Sequence, residues 1–405
     1  MQKRQRNSVT LTCLVAVLGS AFAADSEKPF EPGALSGQRV TAAARLAGFR
    51  VRDVKTDIPE AIRPTLPFFP AEYDDETLAR LRRKYSLERV AAAGRDEWSS
   101  QLLLKEWVHK AIPGGTPAVS YNNALEILEH AAHGEPFWCT HYTISYAECA
   151  AALGWQVRKI GVDRPHGPEG MGSSHHGVAE VWSNQFRKWV VIDAQSNLHF
   201  ERAGIPLSAW EIRAEWLRDA GKSVDHMVGV PPQLVKKNPA MSWRHFTEDE
   251  TSTYFWIYVE NRVLAPEKDS DEKVQLILPQ DKANAGLIWY QNGEPEAKGS
   301  QLHVGYLQNR FVPTQRIEDV YWTVGVIEAI ITGVSDSAIR FSLDSYCPGR
   351  SGYEVSIDGV RWNLVKDERN VAWPLKANWN SLRLRTVGKG GVTGPVTSLL
   401  MFLEP

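Results

Sequence analysis

The spacing of hydrophobic positions changes several times along the chain. Residues 9–18 form one apolar run interrupted by threonines and a cysteine. From 24 to about 70 the pattern is irregular and Pro-rich, which predicts a lead-in wrapping a domain. Helical spacing follows. Leu78, Leu81, Tyr85 and Val90 predict a helix capped by Asp74-Asp75 and stopped at Gly94. Trp98, Leu102, Leu103 and Trp107 predict a second over about 96–112, with Pro113 as the stop. Leu125, Leu128 and Ala132 share a face of a third, which begins at Asn122 and ends at Gly134. A fourth runs over 139–153 and is ended by Gly154. The period then shortens to that of strands at 156–162, 177–182 and 188–193. One more helix is predicted over about 207–220. Pro231-Pro232, followed by Lys236-Lys237-Asn238-Pro239, reads as a linker. Beyond about Thr251, short strands such as 254–260, 274–278, 353–357 and 381–386 alternate with turns, the pattern of an antiparallel sandwich.

This order predicts an α+β protein in four parts: a leader over 1–23, an extension over 24–75, a helix-then-sheet domain over 76–235 and an all-β sandwich over 236–405. The leader is read from its layout. Lys3, Arg4 and Arg6 precede the apolar run, and Ala21-Phe22-Ala23 places small residues before a cut at Ala24. These are the parts of a secretory signal peptide, too short to span a bilayer as a helix. The expected location is the periplasm or the medium, with no integral membrane segment in the mature chain.

The 405 residues are 43% hydrophobic and 23% charged, a globular balance that excludes wholesale disorder. Formal net charge is −2, and losing the three leader cations takes it to −5, so no basic field points to nucleic acid. Of 4 cysteines, Cys13 leaves with the leader, while Cys139, Cys149 and Cys347 remain. That is too few for a disulfide framework.

Cys139 opens the fourth helix, where unpaired backbone N–H groups and the positive helix end favour a thiolate. The runs 178–182 and 188–192 look like a hairpin. With a two-residue loop at Asn184-Gln185, Trp182 pairs with Arg187, and His176 then stands opposite Asp193. Directly opposed side chains share a face with Cβ atoms about 4.5–5.5 Å apart, so Asp193 can orient His176. His175 points to the other face. His166, His175, His176, Cys139 and His141 lack the paired spacing of a zinc site, so no metal is expected. Cys149 reads as a packing residue, and Glu180 and Arg158 as structural charges. The Gly- and Pro-rich segment 163–174 is a candidate substrate-binding edge.

Cys139-Thr-His-Tyr followed by Leu153-Gly154-Trp-Gln-Val-Arg158, His176-Gly-Val-Ala-Glu180-Val-Trp182 and Trp189-Val-Val-Ile-Asp193 resemble, in order and spacing, three blocks of the transglutaminase-like superfamily. Gly177-Val178 stands where that family commonly has Ala-Trp, and Ala194-Gln195 where Pro-Thr is common. The resemblance implies a papain-like core with helices packed on an antiparallel sheet. It also implies Cys139 as nucleophile, His176 as base, Asp193 as the orienting acid, and no cofactor. An upstream oxyanion donor is common in the family, with Trp138, Trp107 and Tyr121 as candidates. The expected substrate is a protein or peptide amide and the acceptor water or an amine, with water favoured. The alternative is a non-catalytic scaffold whose β half binds a protein or glycan. The sequence assigns no oligomeric state.

Overall fold

The computed structural model describes residues 27–165, 175–235, 250–266, 274–284, 288–291, 294–298, 301–302 and 310–405. The leader, His166 with most of the 163–174 segment, and the Lys236-Lys237-Asn238-Pro239 linker lie outside these residues. The architecture is mixed α+β, with several antiparallel sheets and seven helices among the described residues.

The helices are α1 (Gly37–Leu46), α2 (Glu76–Tyr85), α3 (Leu87–Ala91), α4 (Glu97–Ala111), α5 (Ala124–Ala131), α6 (Cys139–Ala152) and α7 (Ala209–Asp219). The first predicted helix is split. Ser86 takes a left-handed conformation (φ 50°), ends α2 and restarts the chain as α3. Local side-chain caps fix most of the starts. Asp75 accepts from Thr77 and Leu78 N, Asn123 from Glu126 N, and capping boxes pair Asp96 with Ser99 and Ser208 with Glu211. Helix α6 is buried on nearly every side from His141 to Ala152, as expected of a central helix rich in small residues. Gly154 (φ +82°) ends it. Its N–H bonds Ala151 O at 2.9 Å and Trp155 N bonds Ala150 O at 3.1 Å, closing a Schellman turn that feeds the next strand.

That strand, Val157–Asp163, lies inside a six-stranded sheet. In spatial order the strands are Arg310–Thr314, Gln275–Pro279, Trp256–Glu260, Val157–Asp163, His176–Ser183 and Lys188–Ile192. All neighbours are antiparallel except the first pair, which is parallel. One face packs Val157, Ala179, Val181, Val190 and Ile192 against Tyr146, Ala147 and Ala150 of α6. The other packs Ile160, Val162, Val178 and Val191 against Ile212 of α7. With both faces covered, strands 157–163 and 176–183 are buried throughout.

A second core joins two further sheets. One is Gly33–Ala34, Glu328–Val334, Ala338–Asp344 and Val371–Pro374. The other is Asn363–Leu364, Arg350–Ser356, Asn378–Gly388, Thr397–Glu404 and Arg50–Asp57. Ile331, Phe341, Leu384 and Met401 meet there with Val40 and Ala44 of α1. Strand pairing therefore crosses both expected domain boundaries. Strands Trp256–Glu260, Gln275–Pro279 and Arg310–Thr314 extend the sheet of the 76–235 part, because Trp256–Glu260 pairs with Val157–Asp163. Residues 33–57 complete the C-terminal sheets, because Arg50–Asp57 pairs with Thr397–Glu404. Among the described residues no helix is long and apolar enough to cross a membrane.

Candidate active site

Cys139 is the first residue of α6, preceded by Trp138 as N-cap with no side-chain capping bond. By position, the first amides of the helix have no intrahelical acceptor. The helix start rests against strand His176–Ser183 at Gly177. A Cβ there would stand 3.2 Å from Thr143 Oγ1 and 3.4 Å from Thr140 N. With no Cβ, Gly177 thus lets the helix start approach the strand backbone closely.

The thiol is the centre of the charge arrangement. Burial pushes it up. The hydrogen bond and charge of His176, with the Gly177 N–H and the Thr140 side chain, outweigh that and bring it down to about 7. His176 Nε2 meets Asp193 Oδ2 at 2.9 Å, and both side chains are almost fully buried. This leaves Nδ1 as the ring nitrogen for the thiol. The other Asp193 oxygen accepts Ser196 N at 2.9 Å, and Asp193 and Leu198 exchange two backbone bonds of 3.0 and 2.9 Å across a tight turn. Cys139, His176 and Asp193 are therefore brought together.

The hairpin register differs from the expected one by two residues. Ser183 pairs with Lys188 and Trp182 with Trp189, leaving 184–187 as a four-residue loop. Arg187 there has φ 55°, and Glu97 of α4 holds the loop through Asn184 Nδ2 at 2.6 Å and Gln185 N at 3.0 Å. A shift of two preserves the face, so His176 and Asp193 are diagonal neighbours instead of directly opposed ones.

The other candidates fall elsewhere. His175 stacks on Tyr258 at 5.9 Å, and burial pushes its imidazole down to about 4. Arg158 and Glu180, directly paired across neighbouring strands, form a fully buried ion pair. Glu180 Oε1 also accepts Ala209 N at 2.8 Å and Tyr321 OH at 3.1 Å, so the pair anchors the start of α7. Cys149 is wholly buried and its thiol is held well above the ordinary value by burial. The three described cysteines are free thiols. Of the oxyanion candidates, Trp138 is half exposed beside Cys139, Trp107 packs on Tyr85 at 5.6 Å, and Tyr121 stacks on His130 at 4.3 Å. His141 is buried between Phe137 and Trp138. Among the described residues no group of three or more His, Cys, Asp or Glu side chains is arranged to hold a metal ion.

One set of residues escapes a reading of the sequence. Gln101, Lys105 and His109 of α4 all bond the far side of the hairpin and the Asp193 turn. Gln101 Nε2 donates to Trp182 O at 3.0 Å and Lys105 Nζ to Asn197 O at 2.9 Å. His109 Nδ1 meets Ala194 O at 3.2 Å and Gln195 O at 3.0 Å. Their i, i+4, i+8 spacing is the available signal, a polar stripe on a helix whose tryptophans and leucines dominate the pattern.

No family model matches this chain, and no curated protein matches it significantly.

Proposed function

We propose that the chain is a transglutaminase-like cysteine enzyme that cleaves or transfers the acyl group of a protein or peptide amide. The observation that carries this reading is the thiol at the start of α6. It is brought down to about 7 by a histidine that is itself held at 2.9 Å by a buried aspartate. A thiol in that range supplies substantial thiolate near neutral pH.

The Cys139 thiolate attacks the amide carbonyl carbon, and its oxygen takes up the electron pair as the tetrahedral intermediate forms. The helix-start amides donate to that oxyanion. His176, protonated and held by Asp193, gives its proton to the departing nitrogen, so the C–N bond breaks and a thioester remains. Neutral His176 then takes a proton from the acceptor. Water gives a carboxylic acid and restores the thiol; an amine gives a new amide. Asp193 fixes the ring and supports its cationic form throughout. Water is the favoured acceptor, which makes the chain a protease or amidase. In this reading the α6 helix and six-stranded sheet form the papain-like core, the two C-terminal sheets form a sandwich, and the leader sends the enzyme to the periplasm or medium.

The rival is a scaffold that binds without catalysis. A lowered thiol beside a His–Asp pair favours catalysis, since a purely structural cysteine gains nothing from either partner. The test incubates the mature protein and Cys139→Ala with a protein substrate and a labelled primary amine. New N-termini mean hydrolysis and amine incorporation means transfer. Identical behaviour of the two proteins refutes the mechanism.

A further inference from the structure

We propose that Lys105 is a positioning residue that holds the Asp193 turn in place and so keeps His176 ready for Cys139. The inference rests on the proposed thiol-enzyme reading and deepens it.

Lys105 lies on α4 and is completely buried. Its Nζ donates to Asn197 O at 2.9 Å and lies 3.4 Å from His199 Nδ1. His199 Nε2 in turn meets Glu201 Oε1 at 2.9 Å. Asn197 has φ 52°, and its carbonyl also accepts Gly229 N at 3.1 Å. One turn of helix further on, His109 meets Ala194 O and Gln195 O. The turn that begins at Asp193 is thus bonded from α4 at three of its carbonyls, while its own amide from Ser196 bonds the Asp193 carboxylate.

Burying an ammonium costs stability, and desolvation accordingly brings Lys105 down to about 7, against the opposing pull of Asp193, Glu106 and Glu201. A methionine of similar length would fill the same space without that cost. A lysine kept there at a cost points to a role other than stability. Without it the turn loses a tether, the Asp193–His176 contact loosens, and the imidazolium that supports the Cys139 thiolate is less stable.

The experiment measures Cys139 alkylation by iodoacetamide from about pH 5 to 10, together with the urea unfolding midpoint. For Lys105→Met the profile should move to higher pH. A shift of half a unit lowers the rate at about pH 6 roughly threefold and leaves the rate at about pH 9.5 unchanged. The midpoint should hold or rise. Leu102→Ala, a cavity in the same helix at an apolar side chain that makes no hydrogen bond to the turn, should lower the midpoint and leave the profile in place. His109→Ala should shift the profile in the same direction as Lys105→Met and serves if the latter does not fold. Superimposable profiles for wild type and both turn variants overturn the proposal, as does a matching shift in Leu102→Ala. His176→Ala separates the two levels. If it leaves the profile unmoved, the triad reading fails; if it moves the profile while the turn variants do not, only the role of Lys105 fails.

Discussion

Arg158→Met offers a quantitative test of how the six-stranded sheet is tied to the rest of the chain. Arg158 Nε donates to Glu180 Oε2 at 2.8 Å, and Nη2 donates to the same oxygen at 2.5 Å. Nη1 bonds Val320 O, and the guanidinium lies 4.2 Å from the Trp189 ring centre. Neither charged side chain is accessible to solvent. Methionine keeps much of the packing over Trp189 and removes the charge. Glu180 is then a buried carboxylate without its counter-charge, a change that typically costs about 3–5 kcal/mol. The Ala209 N and Tyr321 OH bonds to Oε1 survive, and the α7 N-terminus still favours an anion. The lower end, about 3 kcal/mol, is therefore expected. This is a large fraction of the roughly 5–15 kcal/mol that holds a typical domain. Urea unfolding followed by tryptophan fluorescence reads it, with a fallen midpoint and an unchanged slope. Adding Glu180→Gln to Arg158→Met should recover about 1–2 kcal/mol relative to the sum of the single changes, because the pair is coupled. A loss below about 1 kcal/mol for Arg158→Met, or strict additivity, would show that the pair does not carry the energetic role assigned to it.

Three further outcomes are expected. Iodoacetamide near pH 7 should label Cys139 well before Cys149 and Cys347, whose thiols burial holds up, and its rate should climb through about pH 7; equal slow labelling of all three refutes the site. Gly177→Val should cut Cys139 reactivity about tenfold by pushing the start of α6 away from the strand, with Gly177→Ala between it and wild type; a fully reactive valine variant contradicts the close-approach account. Glu148, buried on α6, is pushed up to about 7 by desolvation. The folded state then binds a proton that the unfolded state has released, so stability falls as pH rises from about 4.5 to 7. Glu148→Gln should flatten that slope in a series of urea titrations, and an undiminished slope assigns it to another group.

The helices around the site are legible in the sequence because their signals are local. Asp75 and Gly154 stand at the helix ends where capping chemistry puts them, and the third helix is capped by Asn123, one residue after the expected Asn122. The hairpin is legible in its faces and not in its register. Alternation fixes which side chains share a side, whereas the loop length is set by Glu97, a residue on another element that grips Asn184 and Gln185. Helix α1 and strand Arg50–Asp57 hide in what reads as an irregular lead-in, because the strand exposes most of its residues and its partner lies at the other end of the sequence. The place of strands Trp256–Glu260, Gln275–Pro279 and Arg310–Thr314 is hidden for a related reason. Short β-prone runs look the same whether they close a sandwich or extend a neighbouring sheet, and pairing between Trp256–Glu260 and Val157–Asp163 is a long-range choice. The Asp193 turn and its support from α4 belong to the same class, since Lys105 and Asn197 meet only in three dimensions.

The strand Arg50–Asp57 and the strand Thr397–Glu404 lie side by side, and Arg52 reaches Glu404 across 352 positions of sequence. A ribosome finishes the first of these long before the second exists. That pairing cannot form until Thr397–Glu404 has been made, and until then the early strand must wait with its hydrogen-bonding edge open. Assembly is then governed by late, distant contacts, which slows folding and lengthens exposure to aggregation.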